Sequence, residues 1–361
     1  MGMVKLGDIA RECRTTFVGS KAGIPIVGLE HLTPGDIELH SWDVDTDNTF
    51  NKSFKKGQVL LGRRRVYLKK AAVAPFDGIC SGDITVIEAI PEKLLSGLLP
   101  FIIQNERFFD FALIGSAGSL SPRVKWEYLK DYELDLPDFE QQSKLVDLLT
   151  SANELKHSYQ EMIKATDEIV KSQFIEMFVG KGFPLSSIRE FALITTGSTP
   201  SKACPDYWGG NNPWVSAEDM KDKYVYRTTE GLTDKGYAIC KHIPVNTLMY
   251  VCRGSIGVMA INKTECATNQ SICTATCKDG ICDVEYLYHA LLYKKDDIQQ
   301  LGIGTNFKSL NQTTFSNIQI GLPPYDKQMQ FVDIAKHADK SKFELKQAIE
   351  KIEKVMRALM Q

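Results

Sequence analysis

No apolar run in these 361 residues approaches the ~18–20 needed to cross a bilayer. The N-terminus, Met1-Gly2-Met3-Val4-Lys5-Leu6-Gly7-Asp8, has no apolar h-region, so neither a membrane span nor a signal peptide is expected. An excess of either charge is also lacking: 43 Lys+Arg stand against 45 Asp+Glu, a formal charge of −2. That balance argues against a strongly basic nucleic-acid binder. An even cysteine count is missing too. Nine cysteines cannot all pair, and without an export signal the expectation is reduced thiols in a cytoplasm. Cys252, Cys266, Cys273, Cys277 and Cys282 lie close together without the paired C-x2-C spacing of structural zinc sites, so a zinc cluster completed by His289 is the lesser reading. Buried small side chains in strands are therefore expected, and no metal.

Assembled catalytic motifs are absent as well. There is no GxxxxGK[ST], no Gly-x-Ser-x-Gly and no His-Glu-x-x-His, and Gly302-Ile303-Gly304 is a lone G-x-G. Pro323-Pro324-Tyr325 follows Leu322, not the polar residue that would complete a base-methylating tetrapeptide. A binding protein is thus expected rather than an enzyme. What the chain does have is 43% hydrophobic residues, enough for real cores, and a length suited to two or three domains.

Those domains are one unit written twice. Leu136-Pro137-Asp138-Phe139-Glu140-Gln141-Gln142 is echoed 186 residues later by Leu322-Pro323-Pro324-Tyr325-Asp326-Lys327-Gln328. Gly57-Gln58-Val59-Leu60-Leu61 aligns with Asn246-Thr247-Leu248-Met249-Tyr250, and Leu6-Gly7-Asp8-Ile9-Ala10 with Leu185-Ser186-Ser187-Ile188-Arg189. Each copy ends in a stretch without Gly or Pro that predicts a long helix, one over about 139–179 and one from about 326 to the end. Asp138 with Gln141 has the spacing of a capping box, and Asp326 is a similar N-cap candidate. Heptad spacing places Leu145, Leu148, Ala152, Leu155, Tyr159, Met162, Thr166 and Ile169 on one seam. Adding 186 gives Phe331, Ile334, Ala338, Ser341, Leu345, Ala348, Ile352, Val355 and Leu359 on the other. A helix of about 60 Å outruns a domain whose radius of gyration is ~14 Å, so the two stripes are expected to pair as an antiparallel coiled coil.

The fold class expected is therefore mixed α/β (α+β): two repeated globular halves, 1–137 and 182–323, each followed by a long helix, 138–181 and 324–361. Strands are expected at Val59–Gly62, Ile84–Ile87, Leu248–Val251 and Ser271–Thr274, with one helix per half at Leu94–Phe111 and Val284–Leu301.

Charge is uneven where it matters. Between Phe50 and Phe76 lie eight basic residues and no acid: Lys52, Lys55, Lys56, Arg63, Arg64, Arg65, Lys69 and Lys70. They stand inside a segment, 1–140, with 17 basic and 20 acidic residues. Three adjacent arginines after an apolar strand, with Tyr67 nearby, suit phosphates and guanine edges, because guanidinium forks bind both bidentately. In the second half the matching signal is thinner: Arg253 after the equivalent strand, then Asn306, Lys308 and Asn311 in a Gly/Asn-rich loop.

Taken together these residues resemble the specificity subunit of type I restriction–modification systems, over essentially the whole chain. The resemblance rests on Gly57 to Tyr67, Cys80-Ser81-Gly82-Asp83-Ile84, Gly115-Ser116-Ala117-Gly118-Ser119-Leu120-Ser121-Pro122-Arg123, Leu136-Pro137 with Glu140-Gln141-Gln142, Gly304 to Asn311, and Leu322-Pro323-Pro324 with Gln328. Tyr325-Asp326-Lys327-Gln328 departs from the family's commoner Glu-Gln ending. The resemblance implies two target recognition domains, each reading half of an asymmetric bipartite site in double-stranded DNA. It implies helices that set the spacing and dock two methyltransferase subunits, and restriction/translocase subunits that join them. S-adenosylmethionine, ATP and Mg would belong to those partners, with none in this chain. Ser116 and Arg123 join the arginines as DNA-contact candidates. The competing expectation is a coiled-coil adaptor that binds only protein, its basic run a solvated face. The near-neutral charge implies that the isolated chain binds DNA poorly and shares phosphate contacts with its partners.

Overall fold

The computed structural model describes residues 2–117, 121–300 and 309–360. It packs as two compact units, Met1–Glu161 with Lys346–Gln361, and Met162–Leu345. The division cuts both long helices in mid-course, because each helix lends its two ends to different cores.

In the first unit the opening strand Gly2–Lys5 pairs antiparallel with Glu133–Leu136, just before the central helix Phe139–Phe178 begins. A four-stranded sheet follows the order Ala10–Cys13, Ile84–Ala89, Val59–Gly62, Ala71–Val73. A second four-stranded sheet joins Asp43–Val44, Pro25–Val27, Gly78–Cys80 and Lys52–Phe54.

The second unit repeats the plan. Leu185–Ser187 pairs with Gln319–Gly321, just before the C-terminal helix Tyr325–Leu359. Its main sheet runs Ala192–Thr196, Ile272–Cys277, Leu248–Val251, Met259–Asn262, with Tyr224–Val225 added in parallel at the edge. Val59–Gly62 and Leu248–Val251 are buried at every position, which is why both appear in sequence as unbroken apolar runs rather than alternating ones.

Two expected helices are broken. The first is split into Leu99–Ile103 and Glu106–Ile114 by Asn105, whose side-chain oxygen caps the second piece by accepting from the Arg107 N–H. The other divides into Val284–Tyr293 and Lys295–Gln300. Asp138 does cap the central helix, accepting from the Gln141 N–H at 2.9 Å. Asp326 does not cap the C-terminal helix; it lies within the first turn, whose amides at Lys327 and Gln328 donate to the Pro324 carbonyl.

The repeated Gln142 and Gln328 explain why both copies end alike. Each is buried. The Gln142 amide accepts from the Leu95 N–H and donates to the Pro137 carbonyl, both at 2.9 Å. The Gln328 amide accepts from the Asp283 N–H at 3.0 Å and donates to Ile281 and Pro323 carbonyls at 2.9 Å. Each glutamine thus pins its long helix to the turn before a short helix of its own half.

Within each unit the long helices run antiparallel. In the first, Leu145, Val146 and Leu149 share a core with Met356, Leu359 and Met360, and Lys156 Nζ lies 4.0 Å from Glu353. In the second, Asp167 meets Lys342 at 2.7 Å and Phe174 stacks edge-on to Phe331 at 5.4 Å.

The seam, however, is not the one spacing predicts. Leu145, Ala152, Tyr159 and Thr166 keep their place, as do Phe331, Ala338, Leu345, Ile352 and Leu359, all buried or half-buried. The alternate positions shift by one residue: Leu149, Lys156, Ile163 and Val170 turn inward, while Leu148, Leu155, Met162 and Ile169 are exposed. The same displacement occurs in the copy, where Lys342 and Met356 replace the exposed Ser341 and Val355 and Ala335 is buried beside a half-buried Ile334. Apolar residues occupy adjacent positions such as 148/149 and 169/170, so sequence spacing fits either register. A lysine at 156 then hides the true one, since buried lysine is rare unless paired.

Candidate nucleic-acid interface

In the first unit, the strand Val59–Gly62 delivers Arg63, Arg64 and Arg65 into a turn braced from two sides. The Arg63 N–H donates to the Asp83 carbonyl at 2.9 Å, the Val124 N–H to the Arg63 carbonyl at 3.0 Å, and the Arg65 N–H to the Pro122 carbonyl at 2.9 Å. Arg65 and Lys69 both adopt left-handed backbone, φ +52° and +51°, on either side of a single helical turn over Val66–Leu68 whose Val66 is buried. Non-glycine residues pay to sit there, and such strain collects at functional turns. The turn presents Arg65, Tyr67 and Leu68 to solvent.

Of the three arginines, Arg64 finds an acid that the sequence run did not reveal. Arg123 makes a two-point contact with Asp83, 2.7 Å and 3.3 Å, and Arg64 approaches the same carboxylate at 3.5 Å while donating to Ser121 at 3.0 Å. The Arg123 hydrogen bond, aided by the charges of Arg123, Arg64 and Arg63, holds Asp83 below the usual carboxylate range despite its partial burial. Elsewhere in the run Lys52 faces Glu12 (3.8 Å), Lys55 faces Asp77 (2.9 Å) and Lys69 faces Glu106 (3.9 Å). Lys70 donates to the Leu29 carbonyl at 2.7 Å and so serves the fold. Four of the eight thus face an acid, while Lys56, Arg63, Arg65 and Lys70 make no ion pair among the described residues.

Three polar atoms at this site remain without a partner. Arg63 Nε, Arg64 Nε and Ser116 Oγ are buried and make no hydrogen bond among the described residues. Buried polar atoms are nearly always paired, so these three are open to a partner beyond the described residues. Gly115 positions Ser116: a Cβ there would run into the Tyr128 ring. Beside Arg63 opens a cleft of about 430 Å³, lined also by Asn51, Lys52, Lys125 and Trp126. Arg14 crosses its wall, bound to Glu12 and Glu127 at 2.6 and 2.5 Å.

The second unit keeps this frame and changes its contents. Arg253 stands where Arg64 stands and bridges Ser309, as Arg64 bridges Arg123; the Leu310 N–H donates to the Cys252 carbonyl as Val124 does to Arg63. Arg253 is exposed. Asn311 is exposed, and its side-chain oxygen caps a short helix by accepting from the Thr314 N–H at 2.7 Å. Asn306 and Lys308 lie outside the described residues. Two features escaped sequence inspection. Lys202 sits over the Trp208 ring at 3.5 Å, beside Trp214. Ser198 Oγ and Thr268 Oγ1 are buried without hydrogen-bond partners among the described residues. Asp83 and the Trp208–Trp214 pair belong to no spacing pattern, so only folding reveals them.

Cys13, Cys80, Cys273 and Cys277 lie in strands and Cys252 and Cys266 beside them, whereas Cys204, Cys240 and Cys282 stand at the ends of short helices, and among the described residues no three His, Cys, Asp or Glu side chains gather as a metal site. Burial pushes the Cys80 and Cys266 thiols up to about 12, away from reactive thiolate. Among the described residues no helix is long and apolar enough to cross a membrane.

Residues 181–354 match the family model described as type I restriction modification DNA specificity domain. The chain is 28% identical over 179 residues to the type I restriction enzyme MjaIX specificity subunit of Methanocaldococcus jannaschii, covering 47% of this chain and 41% of that one. It is 29% identical over 154 residues to the HindI specificity subunit of Haemophilus influenzae, covering 40% and 33%. The matches thus span about two-fifths or less of those relatives. Among solved structures, the S subunit of a type I system from M. genitalium superposes with a TM-score of 0.63 at 11% identity, covering 99% and 94% of the two chains. A chain from a study of type I complex assembly and conformational transition gives 0.58 at 18% identity, covering 99% and 96%.

Proposed function

We propose that this chain, whose second half is a type I restriction modification DNA specificity domain and whose fold is that of the type I specificity subunits, is the DNA-specificity subunit of a type I restriction–modification complex. Each globular half reads one part of a bipartite site. Because Arg63-Arg64-Arg65 in one half corresponds to Cys252-Arg253-Gly254 in the other, the two parts differ in sequence. Methylation and cleavage, with S-adenosylmethionine, ATP and Mg, belong to the partner subunits.

The observation that carries this reading is the braced arginine turn with its orphaned Arg63 Nε, Arg64 Nε and Ser116 Oγ. A phosphate or guanine edge would complete their hydrogen bonding, and a guanidinium already aligned by Asp83 loses little entropy on binding. Arg65 and Tyr67, exposed at the tip, are suited to the first contact. Leu148, Leu155, Met162 and Ile169, exposed at heptad spacing along the central helix, offer an apolar face to methyltransferase subunits.

Replacing Arg63, Arg64 and Arg65 with alanine tests the DNA role against that of a purely protein-binding adaptor. The expected result is weaker DNA binding by the assembled complex, by about tenfold or more for a lost bidentate contact, with assembly intact. Unchanged DNA binding would remove the role assigned to this turn.

A further inference from the structure

Among the described residues the second unit contains a largely buried ionic network that the first does not, and it joins four separate elements. Lys223 Nζ lies 2.6 Å from Glu285 Oε2, 2.7 Å from Asp339 Oδ2 and 3.3 Å from His289 Nε2. The Tyr224 hydroxyl is 2.9 Å from both Glu285 Oε1 and Asp339 Oδ2 and gives its one proton to one of them. Lys342 continues the chain of charges, 3.0 Å from Asp339 and 2.7 Å from Asp167. Lys263 stands 3.9 Å from Glu285. Lys223, Lys263 and Lys342 thus balance Glu285, Asp339 and Asp167. Lys223 and Tyr224 come from the sheet edge and Glu285 from the helix Val284–Tyr293; Asp167 belongs to the central helix, Asp339 and Lys342 to the C-terminal one.

The equivalent place in the first unit is far simpler. At the offset of 186, Asp339 becomes Asn153, Lys342 becomes Lys156 and Asp167 becomes Glu353. Lys156 donates to the Gly35 carbonyl at 3.0 Å and lies 4.0 Å from Glu353, beside a cavity of about 530 Å³ whose other charged residues, Lys69, Glu106, Arg107, Asp110 and Arg357, make no ion pair with either of them among the described residues.

A buried ion network contributes little net stability over apolar packing, because desolvation cancels most of its Coulomb gain; its best-attested use is to specify one arrangement. Side chains from sheet edge, short helix and both long helices satisfy one another only when the globular half stands at one angle to the helices. We infer that Lys223, Glu285 and Asp339 are positioning residues that fix the second recognition domain on the helix pair, and so fix the gap between the two half-sites. The inference rests on the DNA-specificity reading above.

The test is base-resolution methylation mapping in a host that supplies the methyltransferase partner, comparing wild type with Asp339→Asn. Asparagine keeps a hydrogen-bonding shape while removing the charge that joins Lys223 to Lys342. The half-sites stay the same, and methylation of sites whose gap is one base pair longer or shorter rises about tenfold, the consequence of losing ~1.4 kcal/mol of discrimination. A merely structural role would lower methylation at all sites without changing the gap. That outcome, in a variant that still shows a cooperative thermal transition, overturns the inference. Should Asp339→Asn fail to fold, Lys342→Gln carries the same prediction, because it leaves Lys223, Glu285 and Asp339 paired while cutting the link to the central helix. If the wild-type chain directs methylation of no gapped motif, the specificity reading itself fails, and this is distinguishable from an unchanged gap.

Discussion

The two units share their frame residue for residue at some points and diverge completely at others. Gln142 and Gln328 make the same bonds 186 residues apart, and Arg64 and Arg253 follow the same strand. At Lys156 and Lys342, however, one unit closes with a single carbonyl and a distant glutamate and the other with a network of paired charges. Duplication preserves what attaches a half to its long helix. What differs is the surface offered to a ligand and the stiffness with which that surface is held.

The largest break in this comparison is expected from Lys223→Met. It leaves Glu285 and Asp339 facing Tyr224 without their central cation, and breaking a buried pair costs about 3–5 kcal/mol. Calorimetry should show the second unit's transition displaced. The parallel Lys156→Met, which strands mainly the Gly35 carbonyl, should cost only about 1–3 kcal/mol. Equal losses would mean the two junctions are energetically alike.

Acid should separate the units next. Burial, with the charges of Lys223 and Lys342 outweighing Asp339, pushes His289 down to about 3. The unfolded chain therefore takes up a proton near pH 6.5 that the folded chain refuses, and stability falls as pH falls between those values by up to about 1.4 kcal/mol per unit. Asp339 is held below the ordinary carboxylate range by Lys223 and Lys342, against its burial, so its contribution is present above the unfolded value and is lost only at still lower pH. Denaturant midpoints measured from pH 7 to 4 should decline for the second unit, and His289→Gln should flatten that decline. An unchanged slope would contradict the account.

Gln142→Leu and Gln328→Leu should each cost about 1–3 kcal/mol by stranding buried backbone groups, and the two losses should match if the frame is shared. The smallest effect on stability belongs to Leu155→Glu, within about ±0.5 kcal/mol because the side chain is exposed. The same change should abolish association with a methyltransferase subunit in a pull-down. Retained association would move the docking face elsewhere.

Much of the architecture was legible because it is local or repeated. Val59–Gly62 and Leu248–Val251 are unbroken apolar strands, and the 186-residue echo announces two halves and two helices. The seam register was not legible, since neighbouring apolar residues such as Leu148 and Leu149 fit either phase and a buried lysine disguises the true one. The candidate site was half legible. Arginines stand out in sequence, but Asp83, which binds Arg64 and Arg123, is recognisable as their partner only when the turn and two strands are folded together. Asn311, a DNA-contact candidate in sequence, also caps a helix with its side-chain oxygen, a role its spacing did not announce. Lys223, Glu285, Asp339 and Asp167 are scattered over 173 positions, and nothing in their spacing links them.

The central claim, that this chain selects DNA sequence for a modification complex, is tested most directly by mapping methylated bases across a host genome with and without its gene, partner subunits being active in both. The account predicts one gapped, two-part, non-palindromic motif that is methylated only when the gene is present. An identical set of methylated motifs in the two hosts would contradict it.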